Sequence, residues 1–267
     1  MRRPHAYSPS RLNTYARCPR RYYFRYVIKA PGKFLAARTV GIFLHEALEN
    51  LVRSGLAQTA DETVAAHTLA QVWRKDAFPD ELTSDEQFRC AIKTLEQHLL
   101  RSRADESFRE TALLEARLKA KILDVPFIGV IDRLNRLSDG GLELVDYKSG
   151  AEPPNEPSSD LLLQMAIYRE LVQKNVGRAP TRVSIMHLHH GTQLLERSDE
   201  QWHVEVSRAI ALARAIDFDE DFDAKPEPSC RSCDYSSRCI PWMKSHAEGP
   251  SIGVARHSRD GVSPSVP

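Results

Sequence analysis

The 267-residue chain is 42% hydrophobic and 27% charged, with a net charge of only +1. That is apolar material for one large domain or two small ones, and no apolar run reaches the roughly 18 residues that a membrane-spanning helix needs. The basic N-terminus has no apolar signal core, which argues against secretion and predicts a cytoplasmic protein.

The near-neutral total hides an asymmetry. Residues 1–45 contain no Asp or Glu, but ten Arg or Lys and five of the eight tyrosines. Cations contact phosphates and aromatic rings stack on unpaired bases, so this mixture suits single-stranded nucleic acid, with Arg17, Arg20, Arg21 and Arg25 as candidate DNA contacts. The tyrosines can equally be core, since Leu12, Tyr15, Tyr22 and Tyr26 lie near helical spacing. Ser8 and Pro9 suit the N-cap and first position of a helix running to about Cys18. Pro19 interrupts it, and Arg20 to Lys29 form a second helical piece.

Val40 to Val52 reads as an apolar-rich helix closed near Gly55. His45 lies within it, and a lone helical histidine is more often a packing or surface residue than a ligand. Residues 61–78 and 84–104 read as two further helices, with Asp61 and Ser84 as N-caps. His67, Cys90 and His98 are read as ordinary packing or surface residues.

From Thr111 the period changes to two. Leu114, Ala116, Leu118, Ala120 and Ile122 alternate with Glu115, Arg117, Lys119 and Lys121, the pattern of a half-buried strand with Glu115 on its exposed face. Asp124-Val125-Pro126 turns the chain into a strand over Phe127–Leu134. A turn at Leu137–Gly141 then leads to a strand from Leu142, so the two form an antiparallel hairpin. Asp146 and Lys148 share a face, and the hairpin can bring Asp132 beside Asp146. Two carboxylates suit Mg²⁺ or Mn²⁺, and a neighbouring ammonium offsets charge that develops in phosphoryl transfer. The competing reading is a surface hairpin with an ion pair.

A loop over Gly150–Pro157 precedes a helix from about Ser158 to Asn175, on which Gln164 and Tyr168 share a face. Thr181–His189 reads as a strand, with His187 and His189 structural, and Asp199–Asp217 as a helix. Cys230, Cys233 and Cys239 follow as C-x₂-C-x₅-C. Without a secretion signal this spacing suggests metal rather than disulfides. Cys18 is the candidate fourth ligand and Cys90 the weaker one. Four cysteines can hold zinc or a [4Fe–4S] cluster. Residues after about Ser245 are rich in Ser, Gly, Pro and His and read as a disordered tail.

Gly129-Val130-Ile131-Asp132-Arg133 followed by Val145-Asp146-Tyr147-Lys148-Ser149-Gly150 resembles the core of RecB-like nucleases in the PD-(D/E)xK superfamily, with Asp rather than Glu as the second acid. Gly41-x-x-x-His45 resembles the helical motif whose histidine supplies a metal ligand. Gln164-x-x-x-Tyr168 resembles the motif after the core whose side chains face the active site and DNA. Glu115 resembles an acidic position upstream of the core in some relatives, although the exposed-face reading is preferred. The run Tyr15–Tyr23 with Cys18, and the distant cysteine trio, resemble the iron-staple arrangement of AddB-type and CRISPR-associated members.

The resemblance implies an α/β (α+β) fold with a restriction-endonuclease-like core, a mixed sheet flanked by helices. One nuclease domain would occupy residues 1–243, its ends joined by a cluster, with a tail over 244–267. It implies catalytic roles for Asp132, Asp146, Lys148, Gln164 and Tyr168. The divalent metal would sit on His45, Asp132 and Asp146, and a structural [4Fe–4S] cluster on Cys18, Cys230, Cys233 and Cys239. The expected activity is a Mg²⁺- or Mn²⁺-dependent exonuclease on single-stranded DNA ends, in repair, recombination or CRISPR adaptation. The sequence has no ATPase P-loop, so a helicase, like any CRISPR adaptation protein, would be a separate partner. Two other readings compete: a nucleic-acid-binding module with a vestigial nuclease site, and a zinc-stapled interaction domain with incidental hairpin charges.

Overall fold

Alternating strands and short turns between residues 111 and 148 build a meander of three antiparallel strands. These are β1 (Thr111–Ile122), β2 (Val125–Arg136) and β3 (Leu142–Lys148). The computed structural model describes residues 4–32, 36–104, 110–150 and 156–247. The β1–β2 turn puts Leu123 and Asp124 at positive φ, 44° and 67°, while the β2–β3 turn uses Gly140 at 82°. Two successive positive φ values match a type I′ hairpin turn, and Asp tolerates this region because its short side chain can bond the local backbone.

β3 next pairs in parallel with β4 (Arg182–His187), and β4 with an antiparallel β5 (Gly191–Leu194), giving a mixed sheet in the order β1-β2-β3-β4-β5. Parallel neighbours require a crossover. Here it is the later helix α6 (Ser159–Val176), started by the Ser158 side chain accepting from Leu161 N–H and ended at Gly177, φ 87°.

Helices cover both faces, which the alternation along β3 shows directly. Leu142 and Leu144 pack with residues of α1 (Pro9–Arg17), α6 and α7 (Asp199–Phe218). Val145 and Tyr147 pack with residues of α3 (Ala36–Arg53), α4 (Glu62–Val72) and α5 (Glu81–Ala104). A strand buried on two sides must pair any charge it carries, and Glu143 accepts from Ser184 Oγ at 2.7 Å and from Asn135 Nδ2 at 3.1 Å. The charged pair Asp146 and Lys148 falls at its C-terminal end.

Ser8 caps α1, and after Pro19 the helix α2 (Pro19–Tyr22) continues as a π-helical turn, Tyr23–Val27. Tyr7, Tyr15 and Tyr22 are core residues, and Tyr22 stacks on Phe222 with ring centroids 5.9 Å apart. Tyr23 and Tyr26 pack against the same core, half-buried. The tyrosines thus serve packing rather than an open stacking platform.

Several boundaries differ from the sequence reading. α5 begins at Glu81, where Asp80 accepts the N–H of Thr83 at 2.7 Å. Ser84 is not a cap but a fully buried residue accepting from Trp73 Nε1 at 3.0 Å. α4 ends at Val72 and a short 3₁₀ turn covers 75–77. β5 was not expected. α8 (Ile240–Ala247) extends beyond Ser245. The remaining tail, and most of the loop after Gly150, lie outside the described residues. Among the described residues no helix is long and apolar enough to cross a membrane.

Candidate active site

The β2–β3 ladder runs from Arg136–Leu142 to Arg133–Val145. The ladder stops there, and Asp132 and Asp146 are the next residues of the two strands. There the Asp132 carboxylate accepts the Tyr147 N–H at 2.7 Å. Asp132 is thereby fixed by the backbone of the very strand that carries Asp146 and Lys148.

His45 projects from α3 with Nδ1 3.7 Å from Asp132 Oδ2, and its ring meets that of Tyr147 edge-on. Donor atoms of His45, Glu115 and Asp132 all lie within 4.8 Å of one another, a spacing a single ion can bridge. Glu115 is the member that alternation misplaced. It is half-buried rather than exposed, and its φ is 46° in the middle of β1. The ladder passes around it, from Leu114–Arg133 to Ala116–Ile131. A left-handed glutamate costs roughly 1–2 kcal/mol and persists only where surrounding structure holds it. No sequence signal predicts such a backbone excursion; the resemblance to an upstream acidic position was the only hint.

Asp146 is held differently. Its Oδ1 accepts from Gln164 Nε2 at 2.7 Å and its Oδ2 pairs with Lys148 Nζ at 2.7 Å. Lys148 Nζ also reaches Gln164 Oε1 at 3.4 Å. Helix α6 thus delivers Gln164 as a bridge between acid and lysine. One turn on, the Tyr168 ring lies so close to Gly129 that a Cβ there would sit 2.5 Å from Cε1. The glycine of the Gly129–Arg133 motif is required by this approach of helix to strand.

The charges do not balance within the carboxylate group. Burial, followed by the charge of Asp146, holds the Asp132 carboxyl well above the usual carboxylate range. Burial pushes Glu115 up to about 7, with Glu49 and Asp146 adding to it. Burial holds His45 below its ordinary value, in the neutral form that can ligate a metal. Acids that cannot all ionise together, beside a neutral imidazole, leave room for a compensating cation. The donor set fits a hard divalent ion.

An open cleft of about 660 Å³ adjoins these residues, lined by Arg17, Arg21, Arg25, Arg38 and Arg117 together with Lys148, Gln164 and Tyr168. Arg20 does not line it; it borders a second cavity and its guanidinium lies over the Tyr23 ring. Arg17 is ion-paired with Asp160.

The second cavity, about 300 Å³, is lined by Cys18, Cys230, Cys233 and Cys239 along with Phe24, Tyr235 and Trp242. None of the five cysteines forms a disulfide, and Cys90 lies apart, exposed on α5. The Cys230 sulfur accepts the Glu227 N–H at 3.4 Å. Chain ends meet here: the Phe24 and Tyr235 rings pack at 5.3 Å, and Tyr235 Oη donates to Ala30 O at 3.4 Å.

A mixed sheet flanked by helices, with paired acids and a lysine where β2 and β3 part, defines a nuclease-type fold. The chain belongs to the PD-(D/E)XK nuclease superfamily, whose family model matches residues 6–240. It is 26% identical over 194 residues to a component of the ATP-dependent helicase/deoxyribonuclease of Streptococcus agalactiae, in strains of three serotypes. That match covers 68% of this chain but only 18% of the relative's length. Among solved structures, a Eubacterium rectale protein provisionally named an exonuclease shares the fold. Its TM-score is 0.51 at 12% identity, over 98% of this chain and 91% of that one.

Proposed function

We propose that this chain hydrolyses DNA phosphodiester bonds as a Mg²⁺- or Mn²⁺-dependent exonuclease, acting on single-stranded ends threaded through the arginine-lined cleft. The observation that carries the reading is the convergence of His45, Glu115 and Asp132 beside Asp146 and Lys148. His45, Asp132 and Asp146, joined by Glu115, would hold the divalent ion. When bound, that ion polarises the phosphorus centre and acidifies a water.

The chain's own residues do the rest. Lys148, steadied between Asp146 and Gln164, orients the attacking water or offsets charge on the phosphoryl oxygens. Gln164 keeps both groups in register, and Tyr168 sets the wall facing Gly129. Arginines of the cleft bind successive phosphates. The sites are distinct, so a structural [4Fe–4S] cluster on Cys18, Cys230, Cys233 and Cys239 would stand apart from catalysis. Four thiols around one cavity, an N–H···S bond and bordering arginines suit an anionic cluster. Such a centre would tie the N-terminal helices to the C-terminus and stabilise the fold. Zinc on the same thiols is the alternative that metal analysis separates.

The helicase/deoxyribonuclease relative supports a DNA substrate and a separate helicase partner; repair, recombination and CRISPR adaptation are the settings that fit such an activity. Purified protein on end-labelled single- and double-stranded DNA, with and without Mg²⁺, tests the activity. Metal-dependent shortening of single strands is expected. No cleavage with any divalent ion would leave a binding module with a vestigial site.

A further inference from the structure

The segment carrying the C-terminal cysteines also contacts two arginines of the cleft. Asp234 follows Cys233, and its side chain is only 3% exposed. Its Oδ2 lies 3.6 Å from a guanidinium nitrogen of Arg21 and 3.6 Å from one of Arg38. Its other oxygen has no hydrogen-bond partner among the described residues. Gly32 closes against the same carboxylate: a Cβ there would lie 3.5 Å from Oδ2. Arg21 comes from α2 and Arg38 from α3, so a single buried carboxylate gathers cations from two elements. Both arginines line the arginine-rich cleft, and Arg38 also borders the pocket that holds His45 and Glu115.

A buried carboxylate is costly to desolvate unless paired, and two arginines stand at ion-pair distance from one of its oxygens without using all of their donors. Each guanidinium has five N–H groups in a planar fork. One edge turned to Asp234 leaves another free for phosphate. We propose that Asp234 is a positioning residue that presents Arg21 and Arg38 to the phosphates of DNA, coupling the cysteine segment to substrate binding. The inference rests on the reading of the cleft as the DNA path.

The sign of the effect separates this role from charge compensation. If Asp234 merely neutralised two cations, Asp234→Asn would free positive charge, tighten DNA binding and steepen its salt dependence. If it positions them, the same substitution loosens two long side chains, and binding should weaken by about tenfold from their ordering entropy. The experiment measures single-stranded DNA affinity against salt for wild type, Asp234→Asn, Arg38→Gln and the double variant. Arg38 is 47% exposed, so its replacement does not threaten folding. Expected results are weaker binding and a shallower salt slope for Asp234→Asn, and a double variant weaker by less than the product of the single effects. A raised KM with little change in kcat should accompany them. Tighter binding, unchanged binding, or fully multiplicative losses would overturn the inference while leaving the cleft assignment standing. Wild-type protein that binds DNA without salt dependence would instead overturn the cleft assignment, and this inference with it.

Discussion

The substitution Asp132→Asn should make the metal-free protein more stable while abolishing its use of metal. Donor atoms of Asp132 and Glu115 lie within 4.8 Å of one another. At a pH high enough to ionise both, two like charges at that separation repel by about 3.5 kcal/mol at an effective dielectric near 20. Glu115 is half-exposed, so solvent screening leaves roughly 1–2 kcal/mol of real strain. For a chain of this size that is about 2–8 °C in Tm. Asn keeps an oxygen to accept the Tyr147 N–H, so the strand geometry survives.

The pH dependence has a definite sign. Glu115 titrates near 7 in the fold against an ordinary value of 4.5, so the folded state holds more protons in that window. Asp132 is raised as well. Metal-free wild type should therefore lose stability as pH rises through the window, and the advantage of Asp132→Asn should grow in step. Bound metal reverses the order, adding about 2.7 kcal/mol to wild type at a hundredfold excess over Kd. Thermal unfolding in chelator and in millimolar Mn²⁺, at about pH 5 and about pH 8.5, reads both effects. A lower Tm for the variant in chelator at the higher pH, or an equal Mn²⁺ shift in both proteins, would refute the reasoning.

Other consequences are open to measurement. Gly129→Ala should cost about 1–3 kcal/mol by chemical denaturation, because the new Cβ meets the buried Tyr168 ring at 2.5 Å; unchanged stability would refute that close approach. Cys18→Ser should remove the iron and brown colour of anaerobically purified protein and lower its Tm, while Cys90→Ser should do neither; stoichiometric zinc without iron in wild type would defeat the cluster. Arg25→Gln should lower the salt slope of single-stranded DNA binding by about 0.7, one phosphate contact, and Arg20→Gln should leave it alone because Arg20 lines the cysteine cavity. Equal effects of the two substitutions would place both arginines on the same path.

The acidic hairpin was legible because local rules agree there. Period-two alternation, a Gly-Gly turn and a buried strand ending in charge all point to one geometry, in which Asp132 accepts the N–H of Tyr147, the residue after Asp146. Helix starts at Ser8, Asp61 and Ser158 were legible for the same reason, since a capping side chain is a local device. Long-range packing decided the rest. Ser84 is drawn from a cap into the core by Trp73, and Tyr7, Tyr15 and Tyr22 fill an interior built from segments far away in sequence. Glu115 faces the site only through a left-handed backbone position, which alternation cannot encode. Asp234 carried no signal at all, because its partners come from α2 and α3.

The central claim is metal-dependent DNA hydrolysis at the Asp132, Asp146 and Lys148 group, and Lys148→Ala tests it most directly. Its ammonium is no metal ligand, so the variant should keep the Mn²⁺-induced rise in Tm and retain single-stranded DNA binding. With end-labelled single strands and Mg²⁺ or Mn²⁺, wild type should degrade the label, chelator should stop it, and Lys148→Ala should leave the strand intact. Cleavage by Lys148→Ala at the wild-type rate would contradict the account.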